Sequence, residues 1–314
     1  EAIKIIHQLV KEHDVVLEQF RPGVMDRLGL GYATLKKINP KLIYCAITGY
    51  GQTGPYKSRA GHDLNYLALA GISSYSRRAN QAPVPLGVQV ADVAGGSLHS
   101  VIGILAALHH RDKTGEGQFI DISMTDTAFA LNAMSGAGQV AGNMLPDAET
   151  ELLNGGSFYD YYETKDGRYF SVGSLEPKFF FGLCDLIGHP ELKELSHGTD
   201  SSLKDRLKVV FKDKTFSEWK DIFATKDLCV EPVLNIQEAC EHPQLRSREM
   251  IVKVPTEKGE AQKQIGCPIK FSSSKATYLR TGGKIGSHSE EILKELGLEQ
   301  QEIEALAHNK IVKL

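Results

Sequence analysis

The amino-acid sequence predicts an α/β protein whose first half contains a parallel β-sheet and is followed by a smaller α+β domain. Two observations predict the sheet. Residues 15–17 and 42–48 are short apolar runs of the kind found in buried strands, and residues 32–38 between them have the spacing of a helix. A strand, a helix and a second strand in this order are typical of a βαβ unit with parallel strands.

The flanking residues support these elements. Residues 2–12 place their aliphatic side chains on one helical face, which predicts a helix before the first strand. A Pro-Gly pair breaks the chain after that strand, and Asn39-Pro40 stops the helix 32–38, because the residue before a proline disfavours the α conformation.

The elements of the second half are recognised by similar signals. An aromatic and β-branched pattern on both sides of a Lys-Asp-Gly turn predicts a hairpin, and Glu176-Pro177 predicts the start of a helix. Residues 250–280 are polar and predict an extended passage, after which two helical segments end the chain. The further elements predicted are a strand over 119–123 and helices over 125–140, 202–211, 215–223 and 236–241.

The stretch between residues 60 and 97 carries the residues best suited to chemistry. It contains AGHDLNY, with His62, and PLGVQVADVAGGS, with Asp92 followed by Gly95 and Gly96. An apolar periodic run over 98–108 predicts a helix that places Asp92 at or near its N-cap, where free N–H groups attract an anion. Asp92 is therefore either a plain helix cap or a catalytic acid beside an oxyanion site.

Composition limits the classes of function. Apolar residues make up 41% and charged residues 24%, as in ordinary soluble proteins, and no apolar run approaches a membrane span. A net charge of −3 offers no basic field for nucleic acid. The five cysteines are scattered and lack a CxxC pair, which argues against a zinc site and favours a reducing, cytoplasmic location. Since the sequence opens on a helical pattern without a Met, we expect the protein to have an upstream segment that this sequence does not include.

Two loops are predicted at the ligand-binding edge of the sheet. Residues 18–23 and 48–55 follow the two strands, and ligands of parallel sheets gather at the carboxyl ends of the strands. Arg21 and Arg27 lie near this edge and suit a phosphate, although an arginine chosen without further information is more often a solvated side chain.

Several motifs, in one order along the chain, resemble a known family. They are VLEQFRPGVMDRLGLG, INPKLIYCAITGYGQTGP, AGHDLNYLALAG, ADVAGG, RDKTGEGQFIDISM and GSLEPKFF. This set resembles the family III CoA-transferases, and more closely their α-methylacyl-CoA racemase branch, over nearly the whole chain.

The resemblance implies the CoA-transferase family III fold, in which a Rossmann-like large domain is combined with a smaller α+β domain. The domains expected from it are a large domain over 1–140 without its N-terminal part, a linker over 141–154, the small domain over 155–249, a linker over 250–280, and a segment over 281–314 that returns to the large domain. The resemblance also implies an interlocked homodimer with active sites that contain residues of both chains.

The resemblance assigns roles to individual residues. His62 and Asp92 match the two proton-transfer groups of the racemases, and Glu176 matches the glutamate that hydrogen-bonds the histidine. Arg27 matches a CoA contact, and Gly95 and Gly96 are candidates for close approach of the cofactor portion of the substrate. Coenzyme A would enter as part of the acyl-CoA substrate, without a tightly bound cofactor or a metal.

Each assignment has a structural alternative. His62 could be a hydrogen-bonded structural histidine, Glu176 a first-turn acid favoured by the helix dipole, and the glycines positions of tight packing. Asp63 could compete as the partner of Asp92, but adjacent side chains usually diverge, so we expect it to be structural.

Three functions are therefore open. The first is a racemase that interconverts 2-methylacyl-CoA thioesters through an enolate, with backbone N–H groups after Asp92 holding the enolate oxygen. The second is a CoA-transferase in which Asp92 attacks the acyl-CoA and forms an anhydride, without a required role for His62. The third is a catalytically silent CoA-binding protein, against which the presence of His62, Asp92 and Glu176 together argues.

Overall fold

The computed structural model describes residues 1–195 and 201–314, which form two compact units, residues 1–231 and 232–314. The boundary between these units differs from the predicted end of the small domain at residue 249. The predicted small domain also includes residues 196–200, which lie outside the described part of the chain.

The first unit contains the predicted parallel sheet. Its strands are β1 (Val15–Glu18), β2 (Ile43–Thr48) and β3 (Phe119–Ser123), in the order β1-β2-β3. Both pairs of neighbours are parallel, with Val15 opposite Ile43 and Tyr44 opposite Phe119. The middle strand β2 is almost entirely buried, as its continuous apolar run predicts for a strand covered on both faces. The predicted α/β fold is confirmed.

The helices of this half pack around the sheet. Helix α1 buries Val10 in a core with Leu35 and Leu42, which explains its one-sided aliphatic pattern. The helices are α1 (Ala2–Glu12), α2 (Val24–Arg27), α3 (Tyr32–Ile38), α4 (Asp63–Leu69), α5 (Ile72–Tyr75), α6 (His99–Thr114), α7 (Met124–Ala130) and α8 (Ser135–Gly142).

The single helix predicted over residues 125–140 is two helices, α7 and α8. Asn132 separates them because its side-chain N–H₂ group donates to the carbonyl oxygens of Phe129 and Ala70. The carbonyl of Phe129 accepts from both the side chain and the backbone N–H of Asn132, which closes the last turn of α7. An asparagine that competes for backbone carbonyls is a known helix terminator.

The helix that carries Asp92 begins earlier than predicted. A π-helical segment, Ala91–Leu98, runs directly into α6, so Asp92 lies in the first turn and is not the N-cap. By length and composition alone, the combined helix of 24 residues could cross a membrane, which corrects the expectation that no segment approaches a span. The sequence hides this length because Asp92 and His99 interrupt the apolar run. Gly103 packs this helix closely against Ile120 of the sheet. The absence of a membrane partner stays a prediction.

The rest of the first unit forms the small α+β layer. The predicted hairpin is present as β4 (Asp160–Glu163) and β5 (Tyr169–Val172), which are antiparallel, and β6 (Val230–Pro232) extends the sheet beside β5. Trp219 is 1% exposed and its indole N–H donates to the carbonyl of Phe211, so this side chain packs in the core of the layer. The helices of this layer are α9 (Pro177–Leu186), α10 (Ser201–Phe211) and α11 (Phe216–Phe223), with a 3₁₀ turn at Pro190–Leu195.

The second unit contains the C-terminal elements. Its predicted extended passage includes an antiparallel hairpin, in which Ile251 pairs with Ile265 and Pro255 with Ala261. The return of residues 281–314 to the large domain stays a prediction. The elements of this unit are α12 (Ile236–Glu241), α13 (Pro243–Ser247), β7 (Ile251–Pro255), β8 (Ala261–Ile265), α14 (Ser289–Glu295) and α15 (Gln300–His308).

Candidate active site

A cavity of about 690 Å³ lies at the carboxyl ends of β1 and β2. It is lined by the ends of both strands and by the loops that follow them, including residues 19–22 and 47–50. Residues from both predicted loops line this cavity, and the binding of a ligand at this edge stays a prediction. His62 and Asp92 both line this cavity, although the first residues of their two helices, Asp63 and Ala91, lie 28 positions apart in the chain.

His62 is held at the start of α4. It is the N-cap residue, its backbone is extended, and its N–H donates to Oδ1 of Asn65 at 3.1 Å. Its imidazole is exposed. Gly61, just before it, tolerates no larger residue in this position, because a Cβ atom would lie 2.6 Å from the hydroxyl of Tyr50 and 2.7 Å from the ring of Tyr66. Two tyrosines therefore fix the backbone that presents the imidazole.

Asp92 is half-buried in the first turn of the π-helical segment. Oδ1 of Asp63 accepts hydrogen bonds from the backbone N–H groups of Ala91 at 2.6 Å and of Asp92 at 3.1 Å. Burial raises the pKa of Asp92, the nearby carboxylate of Asp63 raises this pKa further, and His62 opposes both effects. The expected structural role of Asp63 is supported, since its carboxylate caps the helix that carries Asp92.

The backbone donors predicted after Asp92 are not free. The N–H groups of Ala91 and Asp92 donate to Asp63, and the N–H of Val93 donates to the carbonyl of Gln89 at 2.9 Å. This part of the predicted oxyanion site is wrong, because the helix already begins at Ala91 and the Asp63 carboxylate accepts hydrogen bonds from its first two N–H groups. Within the described chain, the N–H groups of Asp63 and Leu64, in the first turn of α4, have no acceptor.

Gly95 and Gly96 face the protein interior. Both are buried, and an added Cβ would lie 2.6 Å from Oγ1 of Thr127 at Gly95 and 3.2 Å from Cγ of Met124 at Gly96. The glycines thus allow α7 to pack closely on the π-helical segment. Their suggested contact with the cofactor portion of the substrate stays a prediction.

The basic side chains that line the cavity do not include Arg27, which the family motif suggests as a CoA contact. Arg21 lines the cavity, whereas Arg27 is exposed at the end of α2, with its guanidinium near Gly23. Lys57 and Arg59 also line the cavity, and the Arg59 guanidinium stacks on the ring of Tyr56 at 3.8 Å. Sequence reasoning missed Lys57 and Arg59; their position directly after the predicted ligand-binding loop 48–55 was the available signal.

Glu176 lies elsewhere in its own chain. It is the exposed N-cap residue of α9, and across residues 1–195 and 201–314 no hydrogen bond or ion pair joins it to His62. Burial raises the pKa of Cys229, and the charge of Glu176 raises this pKa further. The described residues also contain no group of three or more histidine, cysteine, aspartate or glutamate side chains that could hold a metal ion.

Comparison with known proteins identifies the family of this chain. Residues 1–289 match the model of CoA-transferase family III, and the chain belongs to that family. The mouse α-methylacyl-CoA racemase is 35% identical over 318 residues, which cover 100% of this chain and 82% of the mouse protein. An acyl-CoA transferase of Fusarium pseudograminearum is also 35% identical, over 99% of this chain and 70% of that protein.

A solved structure agrees with the fold. A CAIB/BAIF family protein from Brucella suis superposes with a TM-score of 0.79 at 29% identity, over 93% of this chain and 78% of that one. The fold predicted from the resemblance is confirmed, and the similar proteins are enzymes that act on CoA thioesters. Because a racemase and a transferase are equally similar, identity alone does not separate the two reactions.

Proposed function

We propose that this protein is an isomerase that interconverts the two configurations of 2-methylacyl-CoA thioesters by moving the α-proton. The observation that carries the proposal is that an imidazole and a carboxyl, from two different helices, line one cavity. Racemisation needs one group to remove the α-proton and a second group to return a proton to the other face of the planar enolate. His62 and Asp92 supply this pair.

The environment of Asp92 suits proton transfer. A carboxyl whose pKa is raised by burial and by Asp63 holds a proton at higher pH than an ordinary aspartate, and acid–base catalysis improves as the pKa approaches the working pH. The imidazole of His62 can accept the proton that is removed. A positioned acid or base of this kind contributes on the order of 10²–10⁴ in rate.

The enolate oxygen requires hydrogen-bond donors. The N–H groups of Asp63 and Leu64 have no acceptor within the described residues, and they follow His62 directly in the chain. They therefore replace the donors after Asp92 in this proposal. A single donor at such a position is worth roughly 2.7–4 kcal/mol in comparable oxyanion sites.

The cations of the cavity support a CoA thioester as the substrate. Arg21, Lys57 and Arg59 lie on the loops around His62, and guanidinium and ammonium groups bind phosphate oxygens. The acyl carbon would then lie between His62 and Asp92, and the phosphates of CoA would extend toward these side chains.

Solvent exchange tests the reaction. The full chain is incubated in D₂O with one configuration of a 2-methylacyl-CoA and without any acceptor acid. The expected result is one deuterium at the α-carbon and a mixture of both configurations. CoA transfer that requires an acceptor acid, without α-exchange, would overturn the proposal.

Variants connect the exchange to the two residues. His62→Gln and Asp92→Asn should each lower the exchange rate on the order of 10²–10⁴-fold. His110→Gln is the matched control, because His110 is an exposed histidine on α6 outside the cavity lining. Equal losses in His62→Gln and His110→Gln would contradict the assignment of His62.

We also propose that Glu176 orients His62 across a homodimer. This proposal is supported by the exposed position of Glu176, apart from His62 of its own chain. Mixing His62→Ala and Glu176→Ala chains tests it, since a mixed dimer has one site with both residues intact. Activity of about a quarter of wild type is expected from random pairing, as for any two-fold symmetric dimer. Failure of the mixture to exceed either parent would show that both residues act within one chain.

The second candidate is a CoA-transferase. It is favoured by the half-buried Asp92 carboxylate in the cavity and by the 35% identity to an acyl-CoA transferase. In that case, Asp92 would attack the thioester carbonyl and form an anhydride, with release of the CoA thiolate. Hydroxylamine trapping of Asp92 during turnover would identify this reaction, and the racemase predicts no trapped product.

A further inference from the structure

We propose that Asp63 is a positioning residue for the reaction: it fixes the backbone of Asp92 relative to His62 and places a negative charge beside the Asp92 carboxyl. The expected effect of Asp63 on the reaction rate rests on the proposed function. Its geometric part rests on two hydrogen bonds, from Ala91 and Asp92 to one carboxylate oxygen.

The connection between the two reacting side chains is short. Asp63 follows His62 directly, as the first residue of α4, and its Oδ1 atom binds the N–H of Asp92 itself. One side chain therefore joins the peptide units that carry the imidazole and the carboxyl. Asp63 lies 28 residues before Ala91 and 29 before Asp92. Among the described residues, no other hydrogen bond links these two helix starts.

The helix start explains why a carboxylate is suited to this position. The first N–H groups of the π-helical segment have no acceptor inside their own helix, and a negative charge at a helix N-terminus is favourable. Two charge-assisted hydrogen bonds to one oxygen are stronger than bonds to a neutral acceptor. Asp63 therefore holds the first turn of the segment at a defined place.

The same carboxylate acts on the chemistry of its neighbour. Burial is the largest influence that raises the pKa of Asp92, the charge of Asp63 is the second, and His62 opposes them. The elements α7 and β3 pack against the π-helical segment and carry further acids. Asp126 is the ionisable side chain of α7, and Asp121 of β3 accepts a hydrogen bond from the N–H of Gln52. The remaining ionisable side chains that line the cavity are Tyr50, Tyr66, Arg21, Lys57 and Arg59.

These two effects can be separated by two substitutions. Asp63→Asn keeps an oxygen acceptor for the N–H groups of Ala91 and Asp92 and removes the charge. Asp63→Ala removes both. A residue that only held the fold together would affect stability in both variants without moving the titration of Asp92.

The test combines an NMR titration with an exchange assay. The carboxyl carbon of Asp92 is assigned by comparison with Asp92→Asn, and its titration midpoint is measured in each variant. In Asp63→Asn the midpoint should move to lower pH, with an exchange rate at neutral pH within about ten-fold of wild type. In Asp63→Ala the exchange rate should fall on the order of 10²-fold, because misplacement of about 1 Å has that effect. Asp126→Asn, an exposed acid on α7, is the control and should change neither quantity.

The outcomes separate this inference from the proposed function. An unchanged Asp92 midpoint in Asp63→Asn, or equal exchange rates in the Asn and Ala variants, would overturn the inference even if the wild-type protein exchanges the α-proton. A shifted midpoint in a wild-type protein that shows no exchange would support the effect of Asp63 on Asp92 and reject the proposed reaction. Circular dichroism of both variants shows whether the fold is retained, and Asp63→Asn alone decides the charge effect if Asp63→Ala does not fold.

Discussion

Two clusters of carboxylates in this protein have opposite electrostatic surroundings. In the cavity, Asp92 and Asp63 lie side by side, and burial together with the like charge raises the pKa of Asp92. In a second cluster, Glu149 and Asp160 are bound by Arg78 and Lys204. There burial alone would raise the pKa of Glu149, but hydrogen bonds from Ala79, Arg78 and Lys204 lower it to about 2.

The geometry of the second cluster explains the difference. The Arg78 guanidinium binds both oxygens of Asp160 at 2.6 Å, and Lys204 binds Asp160 at 2.6 Å and the carbonyl of Gly155 at 2.7 Å. Asp160 is only 5% exposed at its side chain, so these bonds replace its water. The pairing of two cations with two anions is what holds a structure together, whereas an acid beside another acid is prepared to transfer a proton.

Asp92→Asn should produce the largest effect and should affect activity alone. Exchange of the α-proton is expected to fall on the order of 10²–10⁴-fold, because the amide cannot donate or accept the proton. The free energy of unfolding should stay within about 0.5 kcal/mol of wild type or increase, since the substitution relieves repulsion with Asp63. Urea denaturation beside the exchange assay measures both, and a large loss of stability would show that the cavity pair is structural.

Asp160→Ala should give the reverse result, a loss of stability. Removing this carboxylate leaves the 14%-exposed Lys204 and the 43%-exposed Arg78 with one partner fewer. Breaking a buried pair costs on the order of 3–5 kcal/mol, and the solvent that reaches Arg78 places the expected loss at or below the lower end of that range. Asp205→Ala is the control, because Asp205 is 68% exposed and pairs with Lys208 on the surface. A similar shift of the urea midpoint in both variants would contradict the structural role of the cluster.

The elements that rest on local signals could be predicted from the sequence. The strands β1 and β2, the helix α3 and the hairpin β4–β5 are defined by apolar spacing and turn residues within a few positions of each other. The joint role of His62 and Asp92 was implied by the family resemblance and not by any local pattern, and the structure places both residues on one cavity.

The contacts between distant residues could not be predicted in this way. The π-helical segment depends on Asp63, 28 residues earlier, and the cluster around Arg78 joins positions 71 and 82 residues apart. No local pattern marks such pairs, since an arginine or aspartate has the same local propensities whether or not a partner meets it in the fold. Arg77 and Arg78 show this limit: they are adjacent and identical in type, yet Arg78 joins the cluster and Arg77 binds Asp147.

The pH dependence of stability should separate the clusters by sign. Glu149 has a folded pKa of about 2 against an ordinary value of 4.5, so its contribution is complete above pH 4.5 and is lost as the pH falls toward 2. Glu149→Gln should therefore reduce the loss of unfolding free energy between pH 4.5 and pH 2, by on the order of 1–2 kcal/mol after allowance for solvent screening. Asp92→Asn should steepen the loss of stability at low pH. The pKa of Asp92 is raised in the folded state, so its protonation at low pH favours folding, and the substitution removes this contribution. Denaturation between pH 2 and 6, an interval set by these pKa directions, measures both.

Arg77→Ala should have the smallest effect and shows how far exposure limits an ion pair. Arg77 binds Asp147 at 3.1 Å, a distance similar to the 2.9 Å between Arg78 and Glu149, but the Asp147 side chain is 65% exposed. An exposed pair contributes about 0.2–1 kcal/mol, because water screens the charges and two long side chains lose freedom. Arg78→Ala measured in the same urea series is the matched comparison. If both substitutions lower the free energy of unfolding by the same amount, then neither the burial of Asp160 nor the second carboxylate distinguishes the cluster around Arg78. The contrast between the two regions would then reduce to ordinary surface electrostatics.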